Sequence, residues 1–586
     1  MPTLDWIGKD KVINHPSEVP YRVLERVYSY EEEGKTIEDN HSENMIIHGD
    51  NLEALKALLP KYEGKIKCIY IDPPYNTGNE GWVYNDNVNS PQIRKWLGEV
   101  VGKEGEDLSR HDKWLCMIYP RLRLLQKLLS EDGVIFISID DNELYSLKMI
   151  CDEIFGSNCF VADTSWQRTY SMRNDVKGIA AEVEHILIYG KKPLWQPGKL
   201  ERTSQMDTKY KNPDNDPRGA WRNIVASAPN AYTHQGMVYA IQNPLTGKYA
   251  YPPQGRCWSL GQDQMLEAMN QWCEYCLVDL KDYEERANVC NVPVEDVRKD
   301  VLAIVLKDTL EVAHAKAAEK YKHGTLPEFF FSKQGYGTLS RKAYIQRVGG
   351  RPVTNFWSFE ETGHTDEASR MLKTIFKGTA VFDTPKPPRL IERILHIASD
   401  KDSIVLDSFA GSGTTAHAVL NMNKADGGNR KFILIEMMDY ADSITAERVK
   451  RVIRGYGEDK KKVEGTSGNF SFYKLGEKLL LDNGTLNPDI ELEKIREYIW
   501  YMETRTEFMP VQNDDTKYYL SKYNDTAYYF YYEKEKVTCL DNGFLAQIKT
   551  KAEYYVIYAD LCSVSEKKLQ EYNIAFKKIP RDIMKL

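Results

Sequence analysis

Four consecutive residues, Asp72-Pro73-Pro74-Tyr75, combine an acid, two rigid residues and an aromatic ring directly after an apolar run. The amino group of an adenine ring is a poor nucleophile, because its lone pair is delocalised into the ring. Two acceptors aimed at its hydrogens localise that pair as attack begins. The Asp72 carboxylate can be one acceptor and the Pro73 carbonyl the other, and the two prolines hold both in place beforehand. Tyr75 offers a face on which a base drawn from a duplex can stack. No metal and no covalent enzyme intermediate are required. A methyl group on a sulfonium is a suitable electrophile for such an amine once it is positioned in line. Asp-Pro and Pro-Pro also occur in plain turns, but here they follow a buried strand and carry an aromatic at the fourth place.

A second cluster supplies the features of a cofactor loop. Gly411-x-Gly413-x-x-Ala416 follows the strand Ser403–Leu406 and opens a helix that runs to about Asn423. Small residues there let backbone approach a ligand closely. Glu436, after the next strand, is placed to accept hydrogen bonds from ribose hydroxyls. By itself this pattern fits NAD as well as S-adenosylmethionine, so a NAD-dependent oxidoreductase is a rival reading; a P-loop is excluded because no Gly-Lys-Ser/Thr follows the glycines.

The elements that must position these clusters alternate strand and helix. Met45–His48, Lys67–Ile71, Gly133–Ile139, Ser403–Leu406 and Lys431–Ile435 read as strands, and Asn51–Leu59, Trp114–Leu129, the stretch ending at Phe155, and Ala441–Arg454 as helices. Continuous apolar strands of this kind are buried on both faces of a parallel sheet. The expected fold is therefore α/β, a doubly wound Rossmann-like sheet, whose ligands bind beyond the carboxyl ends of the strands. Asp72–Tyr75, Asp407–Thr415 and Glu436 all fall at such ends. The expected domains are an irregular N-terminal arm (1–44), a catalytic half (45–155), a mixed insert (156–378), a cofactor half (379–455) and a small, tyrosine-rich α/β C-terminal domain (456–586). Helices are expected within the insert at Gln262–Glu285 and near Val294–Tyr321.

The chain has 586 residues, net charge −8, 42% hydrophobic and 28% charged residues, an ordinary soluble composition for several domains. No apolar run reaches the length of a membrane span and the first residues carry no signal core, so a cytoplasmic location without membrane contact is expected. The negative total leaves room for a local basic face on nucleic acid. Ten cysteines are too scattered for a disulfide framework. Cys273 and Cys276 have C-x-x-C spacing, but the nearest further cysteines, Cys257 and Cys290, sit at irregular distances. Two buried cysteines on a helix are the simpler reading, and no metal site is expected.

The sequence resembles the amino-methyltransferases of DNA, in the permuted class in which the catalytic motif precedes the cofactor motif, and among them the modification subunits of type III restriction systems. The resemblance rests on His48-Gly49-Asp50-Asn51-Leu52, Ile71-Asp72-Pro73-Pro74-Tyr75-Asn76-Thr77-Gly78, Asp132 to Asp141, Asp383-Thr384-Pro385-Lys386-Pro387, Leu406 to Thr415 and Ile433-Leu434-Ile435-Glu436. It implies S-adenosylmethionine as cofactor and adenine N6 as target, since Asp occupies position 72. Asp72, Pro73, Pro74 and Tyr75 would form the catalytic motif. Phe409, Gly411 and Gly413 would line the methionine end of the cofactor, within a polar cluster that includes Asp407 and Thr414, and Glu436 would hold the ribose. Lys386 would meet the methionine carboxylate or face solvent. Asp50, expected at the end of a strand beside the catalytic one, would face the crevice or cap a helix. The insert would read double-stranded DNA, with Arg168, Arg173, Arg341, Lys342, Arg347 and Arg351 as basic candidates among interleaved tyrosines. The resemblance also implies a homodimer and a helicase-nuclease restriction partner. The alternatives are a solitary modification enzyme, methylation of cytosine N4, and a DNA-binding protein without turnover.

Overall fold

A computed structural model of the chain describes residues 3–13, 19–77, 108–171, 178–510 and 514–580. Gly78 and Arg173, both named above, lie outside them. The chain divides into two units, one formed by Met1–Gly198 with Val353–Leu586 and the other by Lys199–Pro352.

An eleven-stranded sheet organises the first unit. Its strands are β1 (Arg22–Glu31), β2 (Gly34–Thr36), β3 (Met45–His48), β4 (Ile66–Ile71), β5 (Leu129–Ile139), β6 (Phe160–Gln167), β7 (Val183–Gly190), β8 (Phe356–Trp357), β9 (Ile404–Asp407), β10 (Lys431–Glu436) and β11 (Phe470–Lys478). Their spatial order is β8-β6-β7-β5-β4-β9-β10-β3-β11-β1-β2. The six inner strands, β5 to β11 in that order, are parallel. Antiparallel pairing begins at β7 on one side and at β1 on the other. Inner-strand side chains such as Ile69, Ile71, Ile135, Ile137, Leu406, Ile433 and Ile435 are buried. Burial on both faces is what their unbroken apolar text requires, at about 1.5–3 kcal/mol for each large side chain.

Helices α1 (Asn51–Tyr62), α2 (Leu108–Leu128), α3 (Leu144–Phe155), α4 (Thr365–Ile375), α5 (Pro388–Ala398), α6 (Thr414–Asp426) and α7 (Glu447–Arg454) belong to the same unit. In α1, Leu52, Leu55, Leu58 and Leu59 are buried together, as their spacing demands. β4 and β9 are neighbours, with Leu406 opposite Ile69. From β4 the chain proceeds to β5 on one side of this pair, and from β9 to β10 on the other. The reversal opens a crevice beyond the strand ends, which is where ligands bind in such sheets.

Several boundaries differ from the sequence reading. The N-terminal segment is not an irregular arm, because β1 pairs along its length with β11. Residues 156–198 and 353–378 belong to the sheet unit rather than the insert, since β6, β7 and β8 extend the sheet; the insert is narrower. β6 and β7 pair antiparallel, outside the strand-helix alternation that marks the parallel core in sequence. Within Lys199–Pro352, the expected helix from Gln262 stops at Met269, and Cys276 lies on the strand Tyr275–Val278. The stretch near Val294–Tyr321 holds a strand, Ala303–Leu306, before its helix, Leu310–His323. Trp221, Trp258, Trp272 and Phe329–Phe331 make this unit's core. Past β11, the strands Tyr519–Tyr523, Thr526–Phe530, Tyr554–Ala559 and Ile574–Lys578 form a separate four-stranded sheet. Its tyrosine cluster is mainly core, with Tyr529 and Phe530 buried, while Tyr554 is exposed.

Candidate active site

The Asp72 corner follows β4 and the glycine loop follows β9, so the neighbouring strands bring them together. A cavity of about 290 Å³ lies between them, lined among others by Asp72, Pro74, Lys386, Asp407, Phe409, Gly411 and Thr414. Phe382, Met438 and Tyr440 line it as well, and none of these three carried a recognisable signal in the sequence.

The corner is braced from three sides. The Trp114 indole N–H donates to the Pro74 carbonyl at 2.7 Å, so the carbonyl left to a substrate amine is that of Pro73. Asn76 ends the corner in a left-handed conformation, φ +61°. Its side-chain amide donates to the buried Glu143, which also pairs with His111 Nδ1 at 2.6 Å. Burial raises the Glu143 carboxyl above its ordinary range.

Lys386 does not face solvent, and it lines the cavity. Its buried ammonium donates to both Asp72 oxygens, at 2.8 and 2.8 Å, and to the Tyr75 hydroxyl at 2.9 Å. Glu184, on β7, lies 3.4 Å from the same nitrogen, and the Tyr75 hydroxyl lies within 2.8 Å of Asp72 Oδ1 and 3.1 Å of Glu184 Oε2. Burial alone would lower the Lys386 ammonium, but Asp72 and Glu184 outweigh it and raise it. Burial alone would raise Glu184, but Lys386 and Arg168 outweigh it and hold it below the carboxylate range. Sequence reasoning missed Glu184; the available signal was a lone acid inside the apolar strand Val183–Gly190.

The glycine loop has the expected shape. Gly411 and Gly413 both have left-handed φ, +51° and +81°, and a Cβ on Gly411 would come within 3.1 Å of the Phe382 ring. Glu436 accepts from the Gly411 N–H at 2.8 Å and the Met438 N–H at 3.0 Å. Asp407 accepts from the Thr415 hydroxyl at 2.6 Å and the Phe409 N–H at 3.0 Å. Burial pushes both carboxyls up to about 7 despite these bonds. Thr414 donates to the Lys386 carbonyl at 3.2 Å and accepts from the buried Arg448 at 2.8 Å, which ties the two loops to one another.

Other expectations need correcting. Asp50 caps α1, accepting from the Leu52 and Glu53 N–H groups at 2.9 and 3.1 Å. The cap is one of the two roles its position allowed, and β3 is not beside β4 but separated from it by β9 and β10. Lys342 is buried and pairs with Asp214 and Asp216 at 2.5 and 2.6 Å, which removes it from any DNA-facing surface. Arg168 lies in the sheet unit, not the insert, and pairs with Glu184 at 2.7 Å. Arg341 and Arg351 are partly exposed on the insert, and Arg347 is exposed and pairs with Glu328. Among the described residues no group of His, Cys, Asp and Glu could hold a metal ion, and no helix is long and apolar enough to cross a membrane.

With the Asp72 corner facing a glycine loop across a switch point, the chain belongs to the DNA methylase family. That family's model matches residues 66–255 and 261–447. The type III restriction-modification enzyme StyLTI Mod subunit of Salmonella typhimurium is 31% identical over 475 residues, 77% of this chain and 62% of that protein. The EcoP15I Mod subunit of Escherichia coli is 30% identical over 473 residues, 78% of this chain and 66% of that protein. The type II methyltransferase M.KpnI of Klebsiella pneumoniae is 30% identical over 410 residues, 68% of this chain and 81% of that protein. The chain thus spans just under two thirds of the length of the two Mod subunits.

Proposed function

We propose that the protein methylates adenine N6 in double-stranded DNA, with S-adenosylmethionine as methyl donor. The observation that carries the reading is the contact of the Asp72 corner with the cavity beneath the glycine loop. The cavity suits the donor: Gly411 leaves room where a Cβ would crowd Phe382, and Glu436 ends its strand beside the loop with a carboxyl able to accept from hydroxyls. Glu436 would hold the ribose, Phe382 and Tyr440 would pack against the donor's adenine ring, Phe409 would line the methionine end, and Asp407 and the loop N–H groups would meet the donor's polar atoms. The donor supplies an electrophilic methyl group. The chain's own residues do the rest. Asp72 and the Pro73 carbonyl accept hydrogen bonds from the two hydrogens of the amine and localise its lone pair; after methyl transfer the amine releases one proton and the donor leaves as the neutral thioether. Tyr75 stacks the extruded base. Asp72 is held by Lys386, so the ammonium must yield that carboxylate when the amine arrives, and Glu184 is the neighbouring anion that can keep it.

In this reading the protein serves as the modification subunit of a type III system, alongside a helicase-nuclease and as a homodimer, and Arg341, Arg347 and Arg351 of the insert take part in reading DNA. A second reading is a solitary enzyme without a restriction partner. The purified protein, incubated with unmethylated DNA and donor labelled in its methyl group, is expected to yield N6-methyladenine. Label on cytosine, or none, contradicts the reading; co-purification of a nuclease subunit separates the two systems.

A further inference from the structure

On the sheet unit, α4, α7 and the turn after α7 enclose a groove of about 890 Å³, roughly three times the volume of the cavity beside Asp72 (about 290 Å³). Six cations line it, Arg370, Lys373, Lys377, Arg451, Arg454 and Lys461, against two acids, Glu447 and Glu458. Glu447 is already engaged by Arg451 at 2.8 Å. The side chains of Lys373, Lys377 and Lys461 are exposed and have no ion-pair partner among the described residues. In a chain of net charge −8 this is a local reversal of sign, of the kind that gathers polyanions.

We propose that this groove binds the phosphate backbone of duplex DNA flanking the base that the corner methylates; the proposal rests on the DNA reading above. Two observations favour a nucleic acid over an acidic protein. The only large apolar side chains on the lining are Ile375, which is buried, and Tyr456, whereas protein partners are anchored by apolar and aromatic side chains seated in pockets. The groove is also tethered to the chemistry. Gly378, at its lip, precedes Lys386 by eight residues, a reach of at most about 29 Å. That is less than one turn of B-form DNA, about 34 Å, so one duplex can touch both places. Arg370 and Lys373 lie one turn apart on α4, about 4.5 Å along its axis at the helical rise, and Lys377 follows just past the helix end, where the backbone turns left-handed.

The test compares wild type with the triple variant K373Q/K377Q/K461Q, in fluorescence anisotropy with a mixed-sequence duplex of about 30 bp, across a salt series. Losing three phosphate contacts makes the slope of log affinity against log salt shallower by about 2.7. Turnover at saturating DNA should stay at the wild-type level, and polyglutamate should fail to compete with the duplex. An unchanged slope in a variant with wild-type melting overturns the proposal, as does displacement of DNA by polyglutamate, which would assign the groove to an acidic protein. The two readings fail separately. Wild-type methylation with an unchanged slope in the variant sinks only the groove. A groove-dependent slope in a protein that methylates no DNA sinks only the methyltransferase.

Discussion

Two buried lysines, one in each unit, are each clamped by two carboxylates. Lys342 of the insert meets Asp214 and Asp216, whose side chains are 9% and 0% exposed, and the Leu326 carbonyl and Tyr344 hydroxyl complete the cluster. Lys386 of the sheet unit meets Asp72 and Glu184, and Asp72 keeps 27% of its side chain exposed at the wall of a cavity. The same chemistry is closed in one place and open in the other. A closed pair fixes a fold and has nothing left to offer a substrate. An open pair holds a carboxylate ready and can exchange its lysine for an incoming amine. Buried charge alone therefore does not mark a site; buried charge with an accessible acceptor does.

That contrast can be broken by substitution. Lys342→Met leaves Asp214 without its cation, while Asp216 keeps Arg218 at 3.0 Å, and is expected to cost about 3 kcal/mol of stability, read as a lower melting temperature. Lys386→Met should act the other way round. Asp72 has access to solvent, so melting should shift less, while methyl transfer falls by about 10²-fold as the corner loses its charge balance. If both variants lose only stability, the distinction between the pairs is wrong.

Glu436 sharpens the comparison through pH. Its carboxyl is raised to about 7 in the fold, so the unliganded protein loses stability as pH rises from the ordinary carboxylate range through about 7. The ionised form is the better acceptor for ribose hydroxyls. Affinity for S-adenosylhomocysteine, followed by calorimetry, is expected to climb between about pH 6 and 8, and Glu436→Gln should flatten most of that climb. The residual slope belongs to Asp407, also raised to about 7. The smallest effect is at Asp50. Asp50→Ala should cost about 1–2 kcal/mol, as a lost helix cap and a lost pairing with the buried Arg121 at 3.6 Å, and leave the affinity for S-adenosylhomocysteine unchanged.

The parallel core was legible because its strands are apolar on both faces and end in polar clusters. The Asp72 corner and the Gly411 loop could be read for the same reason: short-range residue types carry their chemistry. What could not be read depends on neighbours distant in sequence. Lys386 and Asp72 are 314 residues apart, so no local pattern announces their pairing. Lys342 looked like a surface cation because Asp214 and Asp216 approach it from a different segment. β6 and β7 passed for insert because they pair antiparallel, outside the strand-helix alternation of the parallel core, and Asp50 stayed open between crevice and helix cap because strand order is not sequence order.

The central claim is that Asp72 activates an adenine amine. Its most direct test is to express wild type and Asp72→Ala in a host lacking adenine methylation and map modified bases by single-molecule sequencing. The account predicts N6-methyladenine at one short motif in the wild type and none with Asp72→Ala at equal expression. Marks that persist in Asp72→Ala would contradict it.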